Sequence, residues 1–346
     1  MNSSEILIIT KFVQQHPLNT SKEIYEHSGV GLSYATVKRL LQKLIRDNKL
    51  ESVGNGKATR YRLSAIHELI TPIDVKAYFQ KEIDERKIDE RFNFSLIGNI
   101  SNNISLFTEA ELYVLSELHK QFRDKISKLT DTEYTKEMER LAIDLSWKSS
   151  QIEGNTYSLL ETEQLLKERI TAEGKTQDEA IMLLNHKAAL DFLVSKSDYI
   201  HPLTVSVVEN IHSILVKDLH IDRNIRKRSV GISGTNYKPL DNEFQIREAL
   251  ESMCNLVNNK QDIFSKAVLV LSLISYIQPF ADGNKRTARI LSNALLLHHG
   301  YCPLSFRTVD PLDYKKAMLI FYEQNNISAV KNIFMEQFEF AVKTYF

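Results

Sequence analysis

Three features of this 346-residue sequence predict a mainly helical fold with short hairpins. Proline and glycine are scarce, at 7 and 11 residues, so few positions interrupt a helix. Apolar residues recur mostly three and four apart, the spacing of one helix face. Strand-like runs are few and short. The length suits two or three domains with a sizeable core. At 43% hydrophobic and 25% charged residues, the composition is that of a soluble globular protein.

Residues 1–66 read as one small unit. Ile6, Ile8, Ile9, Phe12 and Val13 suit an amphipathic first helix. Asn19, Thr20 and Ser21 offer a cap for a second, over 22–27. After a turn at 29–32, Ser33 caps a third helix running to about Asn48. Its apolar face is Val37, Leu40, Leu41, Leu44 and Ile45. Two strand-like runs follow, 49–53 and 57–63, with Gly54-Asn55-Gly56 between them as a tight turn tolerant of positive φ. Three helices and a hairpin resemble a winged helix-turn-helix.

Formal net charge is zero over the chain, but the first unit is basic, with ten Lys/Arg against five acids. That leaves 1–66 near +5 and the remainder near −5. In helix-turn-helix geometry the last helix enters the major groove. Ser33, Tyr34 and Thr36 would then face base edges. Lys38, Arg39, Lys43, Lys57, Arg60 and Arg62 would contact phosphates. Duplex DNA is the expected partner of this unit, with protein docking as the alternative.

Residues 67–110 form a connecting region. The charge-dense stretch 81–91 reads as a solvated helix face or linker, and 99–103 as a loop. Residues 111–346 read as one helical domain, interrupted at 172–175, 222–241, around Gly283 and at 300–303. The two cysteines, Cys254 and Cys302, form no CxxC pair, which excludes a disulfide scaffold or thiolate zinc site and fits a reducing compartment. No signal peptide is evident at the N-terminus. No apolar run approaches the roughly 20 residues of a membrane span. A cytoplasmic protein without membrane contact is expected.

The informative run is 277–289, IQPFADGNKRTAR. An apolar helical stretch ends before Pro279, a polar turn follows, and helical periodicity restarts at Ala288. A helix start presents unpaired N–H groups and a positive dipole end, which suit phosphate. Gly283 permits close backbone approach. Arg286 and Arg289, three apart, share a helix face and could bind successive phosphates. Asp282 is a hard oxygen ligand suited to Mg²⁺ held largely by phosphates and water. The bland alternative is a helix start with surface arginines.

This run resembles the signature of the Fic (Fic/Doc) family, HxFx(D/E)GNGRxxR. Phe280, Asp282, Gly283, Asn284, Arg286 and Arg289 match in order and spacing. Lys285 stands where many members have glycine, a familiar variant. Ser149, Glu153 and Gly154 fit the family's inhibitory pattern (S/T)xxxE(G/N). Residues 228–239 resemble its β-hairpin flap, and 178–190 an early core helix. The likeness covers roughly 110–346.

The resemblance implies transfer of AMP from ATP to a Ser, Thr or Tyr hydroxyl of a target protein, with ATP and Mg²⁺ bound. Asp282 would hold the metal. Gly283, Asn284, Lys285 and Arg286 would contact the α- and β-phosphates, and Arg289 the γ-phosphate. Glu153 would pair with Arg289 and deny that phosphate its place. Gly231, Ile232, Ser233 and Gly234 would hold the target by main-chain bonds. Relatives often form homodimers, and no residue pattern here specifies one.

One position departs. The family's catalytic histidine is replaced by Gln278, whose amide hydrogen-bonds but is no base at physiological pH. Three readings follow: a nucleotide-binding, DNA-binding regulator without transfer activity; a slow or altered transferase; or a histidine exchanged by design.

Overall fold

Thr20 and Ser33 each cap a helix in the computed structural model of the chain, whose described residues are 3–100 and 105–346. Thr20 closes a capping box with Glu23, and the Ser33 hydroxyl accepts from the Thr36 N–H. The first of two units, Met1–Pro72, runs α1 (Ser3–Gln15), β1 (Asn19–Thr20), α2 (Ser21–His27), α3 (Tyr34–Arg46), β2 (Leu50–Val53), β3 (Arg60–Leu63) and α4 (Ala65–Ile70). The strands form an antiparallel sheet in the order β1-β3-β2. Ile9, Val13, Ile24, Val37, Leu40 and Leu44 fill its core.

Two details differ from expectation. The two residues of β1 are too short to show alternation in sequence, yet they pair with Tyr61 and Arg60. The turn at Gly54 is not tight. Val53 pairs with Arg60, and the intervening loop contains a 3₁₀ turn, Gly56–Ala58. Gly54 and Gly56 both have positive φ, +83° and +60°, so each bends the chain separately.

The second unit, Ile73–Phe346, takes in most of the expected connecting region. It begins with α5 (Val75–Tyr78), α6 (Ser95–Asn99), α7 (Glu109–Ile126) and α8 (Asp131–Ile152). The stretch 81–91 is not a helix face. Apart from a 3₁₀ turn at Ile83–Glu85 it is extended or irregular, and Arg86 within it is buried. Most of the loop expected at 99–103 lies outside the described residues.

The unit continues with α9 (Leu159–Glu168), α10 (Gln177–Ser195), α11 (Val205–Leu215), α12 (Glu243–Asn259), α13 (Ile263–Ile277), α14 (Asn284–His298), α15 (Pro311–Gln324) and α16 (Ser328–Thr344). All of α13 is buried, because it packs against α12, α14, α15 and α16 at once. A helix apolar on every side belongs at a core centre. On its other side α14 meets α8, α10 and α11. The turn between α13 and α14 is therefore held by the two most enclosed helices of the unit. Among the described residues no helix is long and apolar enough to cross a membrane.

The expected β-hairpin at 228–239 is absent. This segment has a turn at Ser233–Gly234 and one isolated bridge, from Lys238 to Arg91, parallel and outside the segment itself. Two of its carbonyls, and that of Leu240 just beyond it, accept from guanidinium groups. Arg226 donates to the oxygens of Arg228 and Leu240, and Arg86 to that of Gly234.

Candidate active site

The 278–289 run is the turn between α13 and α14 together with the first turns of α14. Gln278 ends α13 in the left-handed region, φ +51°. Its side chain bridges the turn. Nε2 donates to the Ser275 carbonyl at 2.6 Å, and Oε1 accepts from Asn284 Nδ2 at 2.9 Å. Asn284 also exchanges hydrogen bonds with the Phe280 N–H and C=O, each at 2.9 Å. Both side-chain amides are thus committed to shaping the loop. For a phosphate, Asn284 retains its main-chain N–H.

Gly283 caps α14 at φ +81°, a conformation that L side chains rarely adopt. The first hydrogen bond closing this helix is Thr287 N–H to Gly283 C=O, 2.9 Å. The N–H groups of Asn284, Lys285 and Arg286 therefore open into the turn, as at any helix start.

Arg286 and Arg289 are 1% and 0% exposed, so the bland alternative of surface arginines is excluded. Arg286 Nη2 donates to Asp282 Oδ2 at 3.0 Å, while its Nε and Nη1 have no partner among the described residues. Arg289 Nη1 is likewise unpartnered. A buried guanidinium with open N–H groups is costly unless an anion meets it. These orphaned donors fit phosphate oxygens. Asp282 is exposed and has a carboxylate oxygen to spare. Among the described residues no cluster of three or more His, Cys, Asp or Glu could hold a metal. A magnesium ion here would take Asp282, phosphate oxygens and water.

The segment at the end of α8 closes over this site. Glu153 is the C-cap residue of α8. Its Oε1 accepts from Arg289 Nη2 and its Oε2 from Lys285 Nζ, both at 2.8 Å. Ser149 completes the grip on Arg289, its hydroxyl accepting from Nε and its carbonyl from Nη2, again at 2.8 Å. Gly154, at φ +97°, turns the chain away just after the carboxylate. Burial alone would raise the Glu153 pKa, but Arg289 and then Lys285 outweigh it and bring it down to about 2. The carboxylate is charged at every physiological pH.

Two residues that no sequence pattern selects support the turn. His212 on α11 stacks face to face on Phe280, centroids 3.6 Å apart, with Nε2 2.9 Å from the Asp282 carbonyl. Burial pulls its pKa down to about 4, so it is neutral. It lies against the turn's main chain as a support. Arg226, 4% exposed, donates from Nε to the Gln278 carbonyl at 2.7 Å, and its own N–H bonds Pro279 C=O. A lone His on a helix and an Arg in a loop carry no pattern; only the fold brings them to the turn. His186 on α10 is fully buried with neither ring nitrogen partnered among the described residues, and burial followed by the nearby Arg289 and Arg286 keeps it neutral.

Within 228–239, the main-chain groups of Gly231, Ile232 and Ser233 bond to no other segment among the described residues; the turn at Ser233–Gly234 runs from Ile232 to Thr235. In the first unit Ser33, Tyr34, Lys38, Arg39 and Arg60 are exposed, and Thr36 and Lys43 half-buried. Several have local partners. Ser33 and Thr36 hydroxyls bond at 2.8 Å, the Tyr34 hydroxyl lies 3.0 Å from that of Ser21, and Arg60 donates to the Leu18 carbonyl. Arg62 pairs with Glu51. The Lys57 side chain lies outside the described set.

The start of α14 thus offers open N–H groups and buried guanidiniums suited to phosphate, with the Glu153 carboxylate from α8 against it. Residues 202–296 match the Fic/DOC family model, and the chain carries a Fic/DOC family domain. Among curated proteins it is similar to Protein adenylyltransferase Fic of Aedes aegypti, 32% identical over 195 residues, which are 53% of this chain and 38% of that protein. Protein adenylyltransferase Fic of Nematostella vectensis is 27% identical over 260 residues, 68% of this chain and 58% of that protein. The chain thus spans about a third to somewhat over half of the length of such relatives.

Among solved structures, Fic-1 of C. elegans (residues 134–508) superposes with a TM-score of 0.61 at 17% identity, covering 99% of this chain and 98% of that one. A Fic domain containing signaling protein from Bacteroides thetaiotaomicron gives 0.56 at 20% identity, over 66% and 94%. At these identities the likeness shows the fold.

Proposed function

We propose that this protein binds ATP with Mg²⁺ at the start of α14, that Glu153 holds the site shut, and that Gln278 leaves AMP transfer slow. The carrying observation is the Glu153–Arg289 ion pair beside the unpartnered N–H groups of Arg286. The site is built for phosphate, and one of its arginines is already occupied by a carboxylate of the same chain.

In AMP transfer, a target hydroxyl oxygen bonds to the α-phosphorus, the bond to the β-phosphate bridging oxygen breaks, and pyrophosphate leaves. The hydroxyl proton needs an acceptor. Gln278 occupies the position where the family's base stands, and both ends of its amide are already bonded. Loss of a positioned base costs on the order of 10²–10⁴ in rate. The binding groups are unaffected: N–H groups of 284–286, the two arginines, and Asp282 for the metal. Magnesium, when bound, supplies charge neutralisation on the phosphates. Arg289, released from Glu153, would meet the γ-phosphate. The main chain of Gly231–Ser233, bonded to no other segment among the described residues, would take an extended target segment, although it forms no hairpin on its own.

The first unit adds a second reading, a nucleotide-responsive DNA-binding regulator. Its helix order and three-stranded sheet suit a winged helix-turn-helix, with Ser33, Tyr34 and Thr36 at the start of α3 and Lys38 and Arg39 on its exposed face.

Label transfer from α-labelled ATP tests the enzyme reading. The parent and Glu153→Gly proteins should show little, and Gln278→His in the Glu153→Gly background should show much more. No transfer by that double variant, with nucleotide bound, would refute a transferase scaffold.

A further inference from the structure

Segment 78–93, between the two expected domains, makes a set of contacts that its charge-rich sequence does not suggest. Arg86 is buried and pairs with Glu323 near the end of α15, at 4% and 0% side-chain exposure. Its Nη1 donates to both Glu323 oxygens, at 3.1 and 3.3 Å. Its Nη2 donates to the Gly234 carbonyl at 3.0 Å. The Tyr78 hydroxyl donates to Glu323 Oε2 at 2.6 Å. Further along, the Glu90 carbonyl accepts from Lys238 N–H and the Asp89 N–H donates to the Glu323 carbonyl, each at 2.8 Å. Phe92 and Tyr237 both stack on Tyr276, each at 4.8 Å between centroids. The Tyr276 hydroxyl accepts from Asn93 N–H, and its carbonyl accepts from the Tyr237 hydroxyl.

The segment therefore grips 228–239 at Gly234 and Lys238, and reaches the end of α13 two residues before Gln278. A buried ion pair is weak evidence for stability, because desolvation offsets the attraction. Its geometry is more informative. The planar fork of Arg86 spends one nitrogen on Glu323 and aims the other at the carbonyl of a residue at φ +94°. Between that point and Arg226 lie the main-chain groups of Gly231–Ser233, which bond to no other segment among the described residues.

We propose that 78–93 is a strap that sets the target-receiving loop, with Arg86 as the positioning residue that fixes Gly234. The strap holds the loop at its far end, so that Gly231 and Ser233 stay exposed and open to a peptide backbone. What the loop receives rests on the AMP-transfer reading above; that the strap holds it does not.

The test uses the full chain with a nitroxide at Ser233→Cys, which is exposed while both native cysteines are buried. A label at Ser195→Cys, on the exposed end of α10, is the control. Arg86→Lys keeps a cation for Glu323 but lacks the fork to reach Gly234 as well. It should raise the mobile fraction at position 233 about tenfold, the weight of one charge-assisted hydrogen bond. Arg86→Ala should do at least as much. Position 195 and Mg·ADP affinity should not change in Arg86→Lys, which also guards against Arg86→Ala simply unfolding. An unchanged spectrum at 233 in both variants overturns the strap. Failure of the parent and its Glu153→Gly form to bind Mg·ADP sinks the nucleotide reading instead, and it is read by calorimetry, independently of the label.

Discussion

Glu153 Oε1 lies 2.8 Å from Arg289 Nη2, joining the end of α8 to the second turn of α14 across the phosphate-receptive turn. Lys285 takes the other carboxylate oxygen at the same distance. One carboxylate thus pairs with two cations at the start of α14; without it Lys285 loses its ion-pair partner, and Arg289 keeps only the hydroxyl and carbonyl of Ser149.

The clamp should resist mild acid. Arg289 and Lys285 hold the Glu153 carboxyl at about 2 against an ordinary 4.5. A depressed folded-state pKa gives stability that is full above the unfolded value and is lost as pH falls through the folded one. The contribution, about 3 kcal/mol for such a shift, should be complete above about pH 5 and gone near pH 2. The difference in unfolding free energy between the parent and Glu153→Gln measures it. A difference that faded between pH 8 and 6 would refute the assignment.

Gln278 should matter for stability whatever its part in chemistry. Gln278→Leu removes the acceptor of Asn284 Nδ2 and the donor to Ser275 C=O inside a buried turn. A loss of about 1–3 kcal/mol is expected in urea unfolding. A neutral result would show that the bridge between α13 and α14 does not hold the loop.

Gly283→Ala tests the cap of α14. Its φ is +81°, and an added Cβ would lie 3.3 Å from His212 Nε2. Strain plus displacement of the imidazole should cost about 1–3 kcal/mol and weaken Mg·ADP binding more than stability alone explains. Gly98→Ala, inside α6 at an ordinary φ with nothing within 4 Å of the added Cβ, is the control and should be neutral to slightly stabilising.

Duplex DNA affinity of the full chain should fall steeply with salt, and the slope should shrink by about one on replacing Lys38 or Arg39 with alanine. Salt-independent binding, or none at low salt, would turn the first unit into a protein-docking module.

Much of this was legible in sequence because it depends on local signals. Thr20 and Ser33 cap where short polar side chains precede helical periodicity, and the apolar run 267–277 marks a helix at the core centre. The turn from Asp282 to Arg286 was readable as a helix start from Pro279, Gly283 and the resumed periodicity. What stayed hidden depends on distance along the chain. Arg226, His212 and Tyr276 act through partners tens of residues away, and no spacing rule connects them. Arg86 was concealed by its neighbours, since KEIDERKIDER has the composition of a solvated surface. At 228–239 no strand ladder forms; the Gly234 carbonyl is met by Arg86 from far along the chain, a contact that no local pattern announces.

By the reading proposed above, Mg·ATP binds at the start of α14 and Glu153 keeps it out. Calorimetric titration of Mg·ATP into the parent and Glu153→Gly proteins tests it most directly. Release of Arg289 and Lys285 should tighten binding at least about tenfold in Glu153→Gly, the scale of one charge-assisted contact regained. Equal affinity in the two proteins would contradict the clamp, and no binding in either would contradict the site.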